Sequence, residues 1–414
     1  MDDTRRNTPQ GGLSAHDLEL MRAYPTAMDM RKRAKRLMPR FAFEYMDGGA
    51  GDDLGIRRNW NALDAVELAP RYGRVVQPPA CATTLFGQPY AAPIGVSPVG
   101  GPGTAFPGAE TYLAKAAQAA RVPYTLGVLS GVTVERAAEM APDVLWFQLY
   151  RFHRDGHRIG LELARRAAAA GVKALVLTID TPTRTVRPRE TKSGIVNPFK
   201  LTNRLRLDAL TSPRWLMSLR RNGIPRFASL APYMKPNASL AEAADFIRKE
   251  SGGAFTWEEI ARYRDVWKGP LVLKGVLHPA DARRALELGV DGLFVTNHGG
   301  RQIDALPASI DALPAVVAEA AGRATIILDS GVRSGVDVAR AIALGADAAF
   351  AGKAFLWSLG ALGEEGPAHF FNVLKEDLRA TMGQLGCFEV PDLRAVARRH
   401  PGAWSALDYA SGAA

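Results

Sequence analysis

The most informative short string in this sequence of 414 residues is Thr296-Asn297-His298-Gly299-Gly300-Arg301-Gln302. Histidine titrates near neutral pH, so a positioned His298 suits proton abstraction. Arg301, three residues later, suits two-point binding of a carboxylate. The two glycines permit close backbone approach and positive φ angles. A lone histidine is more often structural, but this combination favours a general base beside a carboxylate-binding arginine.

Two further strings have the composition of an anion site. One is Asp329-Ser330-Gly331-Val332-Arg333-Ser334-Gly335, and the other is Ala351-Gly352-Lys353-Ala354. Backbone amides at glycines, a helix N-terminus and cationic side chains together bind phosphate. Lys274 adds a further cation. It is either the partner of Asp180 or Asp329 in an ion pair, or a charge that stabilises an electron-rich ring.

Eight short apolar runs precede these polar residues, and helix-forming stretches separate the runs. Near-continuous apolar strands that alternate with helices indicate parallel strands buried on both faces. Eight such units predict an α/β fold, the (β/α)₈ TIM barrel. A doubly wound sheet is the alternative, but its GxGxxG fingerprint is unconvincing, because Pro98 and Pro102 lie where a helix should begin. The predicted strands are Pro93–Ser97, Tyr124–Leu126, Val144–Leu149, Ala174–Ile179, Leu271–Lys274, Gly292–Thr296, Thr325–Asp329 and Ala348–Gly352.

The chemistry of such a barrel lies at the carboxyl ends of its strands. Polar residues follow nearly every predicted strand, so we expect them to converge on one mouth. They are Ser97, Gln148 with Tyr150, Thr178 with Asp180, Lys274, Asn297 with His298, Asp329 and Lys353.

The intervals between the runs predict the domain organisation. We expect a disordered tail over 1–15, one barrel domain over 16–400 and a C-terminal tail over 401–414. Within the barrel domain, 16–90 reads as an N-terminal helical segment. Residues 184–235 read as a long basic loop inserted after the fourth strand. Insertions of this kind normally lie over the active-site mouth and are often functional.

Composition narrows the possible partners and compartment. The net charge is +10, and residues 184–226 hold eleven Lys and Arg against two acids. This excess suits a polyanion, a membrane surface or an anionic substrate. Cys81 and Cys387 have no metal-type spacing, so we expect neither a disulfide framework nor a metal site, and the cytoplasm is the simplest compartment. Nucleic-acid binding is disfavoured, because no known binding motif is present.

These strings resemble the FMN-dependent α-hydroxy acid oxidases and dehydrogenases, which include glycolate oxidase, lactate oxidase and monooxygenase, and mandelate dehydrogenase. The resemblance covers roughly residues 16–400. It implies a TIM barrel, FMN as cofactor, a small L-2-hydroxy acid as substrate and a homotetramer. The strings that carry it are Asn297–Gln302, Phe147–Tyr150, Thr178–Pro182, Lys274–Val276 and Gly331–Arg333.

The resemblance also implies roles for individual catalytic residues. It makes His298 the general base and Asp180 the partner that stabilises its protonated form. The groups expected on the substrate are Arg301, Arg187 and Tyr45 at the carboxylate, and Tyr150 at the hydroxyl.

A second set is expected to bind the cofactor. Lys274 would lie beside the N1–C2 carbonyl edge of the flavin, and Gln148 and Thr178 would hydrogen-bond the isoalloxazine. The phosphate would be held by Arg333, Gly352 and Lys353. Ser97, Asp329 and Gly331 complete the expected cofactor contacts.

Three positions near the expected flavin depart from the family pattern. Lys353 replaces an arginine, which keeps the charge but loses the bidentate geometry. The usual Asp-Gly-Gly is Asp329-Ser330-Gly331 in this chain. Gly127 stands where plant-type oxidases have serine.

The substrate contacts leave two points open. Arg187 fits the family spacing Arg-x-x-Asp, with Glu190 in place of the acid, and Arg189 is the alternative. Leu129 replaces a tryptophan of the plant-type oxidases, and the extra room favours a 2-hydroxy acid with a medium aliphatic or aromatic side chain.

Several functional alternatives remain at this level. The electron acceptor is oxygen, as in an oxidase or a decarboxylating monooxygenase, or a quinone or carrier protein. His298 takes either the hydroxyl proton, with hydride transfer, or the Cα proton. A non-redox FMN isomerase is disfavoured, because two arginines and a histidine suit a hydroxy-acid carboxylate. The segment 184–226, with Trp215-Leu216-Met217, has three possible roles at this level. It contacts the inner face of an anionic membrane, or it forms a solvated lid, or it forms a subunit contact.

Overall fold

The computed structural model describes residues 13–73, 77–183, 185–194, 202–405 and 408–409. Residues 1–12 of the predicted N-terminal tail lie outside these ranges, and Ser14 caps a helix that begins at Ala15. In the predicted C-terminal tail, the Trp404 amide donates to a barrel-helix carbonyl at 3.0 Å, and the Tyr409 hydroxyl donates to the Leu277 carbonyl at 3.1 Å. The described part of that tail therefore packs against the barrel.

Four helices open the described chain: α1 (Ala15–Ala23), α2 (Ala27–Leu37), α3 (Arg40–Asp47) and α4 (Leu54–Asp64). Pro39 separates α2 from α3, because its ring cannot continue a helix but suits the start of the next one. The predicted helical segment 16–90 is helical only to Asp64. Three short strands follow, in a stretch whose prolines and glycines disfavour helix: β1 (Glu67–Ala69), β2 (Thr83–Leu85) and β3 (Gln88–Tyr90).

Eight parallel strands then close into a barrel, and each overlaps one of the predicted apolar runs. Neighbours along the chain pair in parallel, and the ring closes where the last strand pairs with the first. The predicted TIM barrel is therefore confirmed. The strands are β4 (Ile94–Val96), β5 (Tyr124–Gly127), β6 (Leu145–Leu149), β7 (Ala174–Thr178), β8 (Leu271–Val276), β9 (Gly292–Val295), β10 (Thr325–Leu328) and β11 (Ala348–Ala351).

Aromatic side chains pack inside the barrel below its mouth. The Trp146 and Phe294 rings lie 5.3 and 5.1 Å from the Phe350 ring, and all three side chains are fully buried. A Cβ on Gly95 would lie 2.4 Å from the Phe350 ring, so only glycine fits there. The β2–β3 hairpin places Phe86 against Trp146 at 5.5 Å. This packing leaves the polar strand ends at the opposite, carboxyl end of the barrel.

Helices connect the strands on the outside. The first half of the barrel has α5 (Pro102–Ala105), α6 (Ala109–Ala120), α7 (Val134–Met140) and α8 (Arg158–Ala169). The insertion after β7 has α9 (Pro188–Ser193), α10 (Asn203–Leu210), α11 (Pro213–Asn222), α12 (Leu240–Glu250) and α13 (Trp257–Val266). The second half has α14 (Pro279–Glu287), α15 (Ser309–Ala320), α16 (Gly335–Ala343), α17 (Lys353–Leu362) and α18 (Gly366–Leu385), and β12 (Ala397–Arg399) pairs with β1.

The insertion and the N-terminal helices meet above the barrel. Asp208 of α10 accepts hydrogen bonds from the Arg40 and Phe41 amides at 2.9 and 3.0 Å, which caps the N-terminus of α3. The Phe41 ring packs edge-on against Trp215 of α11 at 5.6 Å. The segment expected to be a loop thus contains helices in its described part. It also helps to hold α3, the helix that carries Tyr45.

Candidate active site

One cavity of about 1260 Å³ lies at the carboxyl ends of the barrel strands. Its floor carries residues at or just after the carboxyl ends of different strands, among them Ser97, Lys274 and Asp329. Its upper wall includes Leu219, Phe227 and other residues of the insertion. The volume exceeds the usual 300–1,000 Å³ of a small-molecule pocket, so there is room for a cofactor together with a substrate.

His298 and Asp180 form a buried pair at one wall of this cavity. His298 Nδ1 lies 2.9 Å from Asp180 Oδ1, and their side chains are 16% and 11% exposed. His298 lines the cavity whereas Asp180 does not, so the carboxylate lies behind the imidazole. A carboxylate in this position selects the tautomer and supports the protonated ring.

The surroundings move both pKa values of the pair downward. Burial lowers the pKa of His298, and the charge of Asp180 opposes that shift only in part. Burial by itself would raise the pKa of Asp180, but the charges of His298 and Lys274 outweigh it and lower the pKa. Asp180 is therefore a carboxylate, and His298 is available as a neutral base near pH 7.

Two arginines face the same cavity. Arg301 donates to Glu190 at 2.5 Å and to the Tyr45 and Gly48 carbonyls at 2.9 and 2.8 Å. Arg187 lies 3.5 Å from Glu190. Burial lowers the pKa of Arg187, and the neighbouring Arg301 charge lowers it further. Glu190 contacts both guanidinium groups and balances one of the two charges, so a net positive charge remains to bind an anion.

Arg189, the alternative substrate arginine, has a different environment. It donates to Glu44 at 2.5 Å and to Asp47 and Asp53 at 2.7 Å each. Burial by itself would lower its pKa, but these three carboxylates raise it. Arg189 is absent from the residues that line the cavity. Of the two candidates, Arg187 is the one placed to meet a ligand.

Two tyrosines complete the cavity wall above the base. The Tyr45 hydroxyl donates to the Gly100 carbonyl, and the Tyr45 ring lies under the Arg301 guanidinium at 5.6 Å. Tyr150, after β6, lines the cavity beside Leu129. Burial raises the pKa of each tyrosine to about 12. Both therefore stay protonated at neutral pH, and the Tyr45 proton is donated to the Gly100 carbonyl.

A polar cluster occupies the barrel mouth where the flavin ring is expected. Asp329 accepts from the Ser97 hydroxyl at 2.8 Å and lies 3.5 Å from Lys274 Nζ. The ion pair considered from the sequence is therefore present, with Asp329 as the partner. Gln148 donates to the Thr178 hydroxyl at 2.9 Å. The side chains of Gln148 and Thr178 are buried, but they do not line the cavity.

The expected phosphate residues lie at the far side of the cavity. Arg333 is 2.7 Å from Asp64 and 3.4 Å from Asp337, and its guanidinium lies over the Trp60 ring. Gly331, with φ +93°, and Gly352 line the cavity, so backbone is exposed to a ligand there.

Lys353 takes a more central position. Its Nζ donates to the Met46, Asp47 and Gly48 carbonyls at 3.4, 3.2 and 2.7 Å, at the C-terminus of α3. Burial and the Arg301 charge hold its pKa well below the usual range. Its family-implied phosphate contact remains a prediction.

The residues present fit the FMN that the resemblance implies. Lys274 and Arg333 line the cavity and supply positive charge for an anionic cofactor. Gln302 lines it too, and its Nε2 is buried with no hydrogen-bond partner among the described residues. Glycine backbone at 331 and 352 allows close approach of a phosphate. Charge, donors and volume thus agree with a flavin mononucleotide.

Asn59 is a contributor that no sequence motif indicated. Its side chain exchanges two hydrogen bonds with Asn297, at 2.8 Å each. The pair ties α4 to the residue before His298. A single asparagine inside an ordinary amphipathic helix carries no signal of this contact.

Comparisons with known proteins identify the family of this chain. Residues 34–399 match the model of the FMN-dependent dehydrogenase family. L-lactate dehydrogenase of Pectobacterium atrosepticum is 37% identical over 367 residues, which cover 88% of this chain and 94% of that protein. The crystal structure of the monotopic membrane protein (S)-mandelate dehydrogenase has a TM-score of 0.85 and 30% identity, and mandelate oxidase has 0.77 and 33%. Both alignments cover 91% of this chain and 99% of the other. The chain belongs to the family of FMN-dependent dehydrogenases.

Proposed function

We propose that this protein oxidises an L-2-hydroxy acid to the 2-keto acid, with His298 as the general base. The observation that carries the proposal is the His298–Asp180 pair in a cavity that two arginines also face. Lactate and mandelate, the acids in the names of its relatives, belong to this class. Such an acid presents one carboxylate and one proton to be removed, which these residues match.

Each side chain has its own role in the proposed reaction. Arg187 and Arg301 bind the substrate carboxylate and so orient the reacting carbon toward His298. Tyr45 joins them by exchanging its hydrogen bond to the Gly100 carbonyl for one to the carboxylate. Tyr150 donates to the substrate oxygen. His298 accepts the proton, and Asp180 stabilises the imidazolium that results. FMN, when bound, accepts the two electrons.

The cofactor is held by the residues around the strand ends. Lys274, with Asp329 and Ser97, would lie at the electron-rich edge of the flavin, where a cation stabilises negative charge. The flavin contacts that the family resemblance implies for Gln148 and Thr178 stay a prediction, because these two side chains bond to each other and do not line the cavity. Arg333, Gly331, Gly352 and Lys353 would hold the phosphate.

The substrate side chain meets an apolar wall. Leu129, Leu219, Ile224 and Phe227 line the cavity. We infer a preference for medium aliphatic or aromatic 2-hydroxy acids over glycolate, because burying a larger apolar side chain contributes about 1.5–3 kcal/mol.

The test is anaerobic reduction of the bound flavin by a panel of glycolate, L-lactate, L-2-hydroxyisocaproate and (S)-mandelate. Bleaching of the visible flavin bands is expected, fastest with the larger acids. Reoxidation by air or by a soluble quinone then identifies the acceptor. If no 2-hydroxy acid bleaches the flavin, the proposed oxidation is wrong. If glycolate is fastest, only the side-chain preference is wrong.

The pH dependence follows from the His298–Asp180 pair. The base must be neutral, and burial lowers the pKa of His298 below its ordinary 6.5. We expect kcat/KM to stay level above pH 6.5 and to fall only in more acid solution. In Asp180→Asn, loss of the carboxylate lowers the pKa of His298 further. The pH at which kcat/KM begins to fall should then be lower, while the constant value of kcat/KM at higher pH drops roughly 10²-fold. A fall of kcat/KM that begins at a higher pH in this variant would contradict the assignment of His298 as the base.

We also propose that the basic insertion contacts an anionic membrane surface. One structural relative is a monotopic membrane protein. Leu207, Leu210 and Met217 are 66%, 66% and 62% exposed, and basic residues flank them. Trp215, expected in the same contact, is buried and donates to the Ala105 carbonyl at 2.9 Å, so it cannot take part. Among the helices of the described ranges, none has the length and apolar character needed to span a bilayer.

Vesicle sedimentation tests this contact. At low salt the wild type should sediment with phosphatidylglycerol vesicles, and Leu207→Ser/Leu210→Ser should lower the bound fraction about 10-fold or more. Leu18→Ser changes an exposed leucine on α1 and serves as the control. A wild type that stays in the supernatant would leave the lid or subunit contact as the role of the insertion. The homotetramer likewise stays a prediction, which sedimentation velocity tests.

A further inference from the structure

Ser330 has a backbone conformation that serine rarely adopts. Its φ is +88°, in the left-handed region that favours glycine. A non-glycine residue there carries backbone strain. The side chain is buried at the barrel mouth. A compensating interaction is therefore expected from its hydroxyl, which the proposed mechanism does not use.

The Ser330 hydroxyl makes two hydrogen bonds, and both lead to the segment that carries the base. The Gly299 amide donates to Ser330 Oγ at 2.9 Å. The Thr296 hydroxyl lies 2.8 Å from the same oxygen. Thr296 is fully buried, and its Oγ1 also accepts from the His298 amide at 3.0 Å.

Asp329 sets the direction of these bonds. The Thr296 hydroxyl lies 3.0 Å from Asp329 Oδ2, and a carboxylate only accepts, so Thr296 donates its single proton there. Thr296 Oγ1 must then accept the proton of Ser330. Ser330 Oγ, having donated, accepts from Gly299. Each hydroxyl thus has a defined role in one chain that begins at a carboxylate.

The chain holds the two peptide N–H groups that flank the His298 side chain. His298 itself has φ +59°, which is also uncommon for a residue other than glycine. Its own amide is held by Thr296 and the following amide by Ser330. The turn that points the imidazole toward Asp180 is therefore fixed from below by two hydroxyls.

We propose that Ser330 is a positioning residue for the general base, acting with Thr296 to hold the backbone turn of His298. This rests on the proposed function of His298. Ser330 accepts a strained backbone because only a side chain at this position brings a hydroxyl to the Gly299 amide.

The experiment compares Ser330→Ala, which keeps the strain but loses the hydroxyl, with Ser330→Gly, which loses both. In holoenzyme with normal FMN content, both variants should reduce flavin roughly 10-fold or more slowly at saturating substrate. KM should change less than about 2-fold, since carboxylate binding is untouched. Ser330→Gly should melt no lower than Ser330→Ala, because its backbone strain is relieved.

Ser358→Ala is the matched control. It removes another fully buried serine hydroxyl, bonded at 2.7 Å to the Phe355 carbonyl within α17 and outside the chain of bonds to His298. It should reduce flavin at the wild-type rate. If the Ser330 variants fail to fold, Thr296→Ser and Thr296→Val test the same positioning role of the hydroxyl chain. The first should be active and the second impaired.

Three results would overturn the positioning role: wild-type reduction rates in both Ser330 variants, an equal loss in Ser358→Ala, or activity lost in proportion to bound FMN. The last would assign Ser330 to cofactor binding. Failure of the proposed function looks different. In that case the wild-type flavin is not reduced by any 2-hydroxy acid, or His298→Ala is reduced at the normal rate.

Discussion

Replacing His298 by Ala should slow anaerobic flavin reduction by 2-hydroxy acids roughly 10²–10⁴-fold, while FMN stays bound. The reason is that neither the paired carboxylate nor the two tyrosines can replace the imidazole as the base. Asp180 lies behind the imidazole and does not line the cavity, and Tyr45 and Tyr150 are protonated at neutral pH, with pKa values of about 12. Stopped-flow absorbance of the flavin measures the rate, and the visible spectrum of the purified variant reports the FMN content.

His278→Ala is a matched control for this substitution. His278 follows β8 as His298 follows β9, but its ring accepts from the Ala280 amide at 3.0 Å and does not line the cavity. Its removal should leave the reduction rate unchanged. A His298→Ala variant that reduces its flavin at the normal rate would exclude His298 as the base. A variant without FMN would mean that His298 serves binding instead.

Two arginines only two positions apart should respond in opposite ways. Arg187→Met should lower kcat/KM about 10²-fold, because an ionic hydrogen bond to the substrate carboxylate is lost. Its thermal stability should change little, since Glu190 keeps Arg301 as a partner at 2.5 Å after the 3.5 Å contact with Arg187 is lost. Arg189→Met should instead lower the free energy of unfolding by about 3 kcal/mol, because it leaves three carboxylates without this partner.

Steady-state kinetics with the best substrate of the panel, together with thermal unfolding of both holoenzymes, separates the two roles. Asp47 limits the damage in Arg189→Met, because Arg31 still donates to it at 2.6 and 2.8 Å. The variant should therefore fold and can be assayed at low temperature, where its kcat/KM should stay within about 10-fold of wild type. The reverse pattern, with activity lost in Arg189→Met and stability lost in Arg187→Met, would make Arg189 the substrate arginine.

The barrel could be predicted because its strands are short, apolar and regularly spaced. Parallel strands buried on both faces need continuous apolar runs, and such runs are visible without any tertiary information. The family strings around His298 and Lys274 then indicated the site, because barrel chemistry collects at strand ends. The short strands of residues 67–90 were harder to predict from the sequence. Strands of three residues are too short to show a period.

The insertion shows the limit of local patterns. Trp215 read as a surface residue beside arginines, yet it packs against Phe41 and donates to a buried carbonyl. Its orientation depends on α3, which is more than 160 residues away in the chain. Asn59 was missed for the same reason, since its partner Asn297 is 238 residues away.

The sequence by itself determined the architecture, the FMN-dependent family and the residue types at each strand end. Periodicity and short motifs are local properties that any reader of the chain can recognise. Only the tertiary structure showed that Arg187 lines the cavity and Arg189 does not, paired Lys274 with Asp329 and joined Ser330 to the Gly299 amide beside His298. Each of these depends on which side chains meet across the barrel mouth. These contacts are set by the closure of the strands into a barrel and by the packing of distant helices, and not by spacing along the chain.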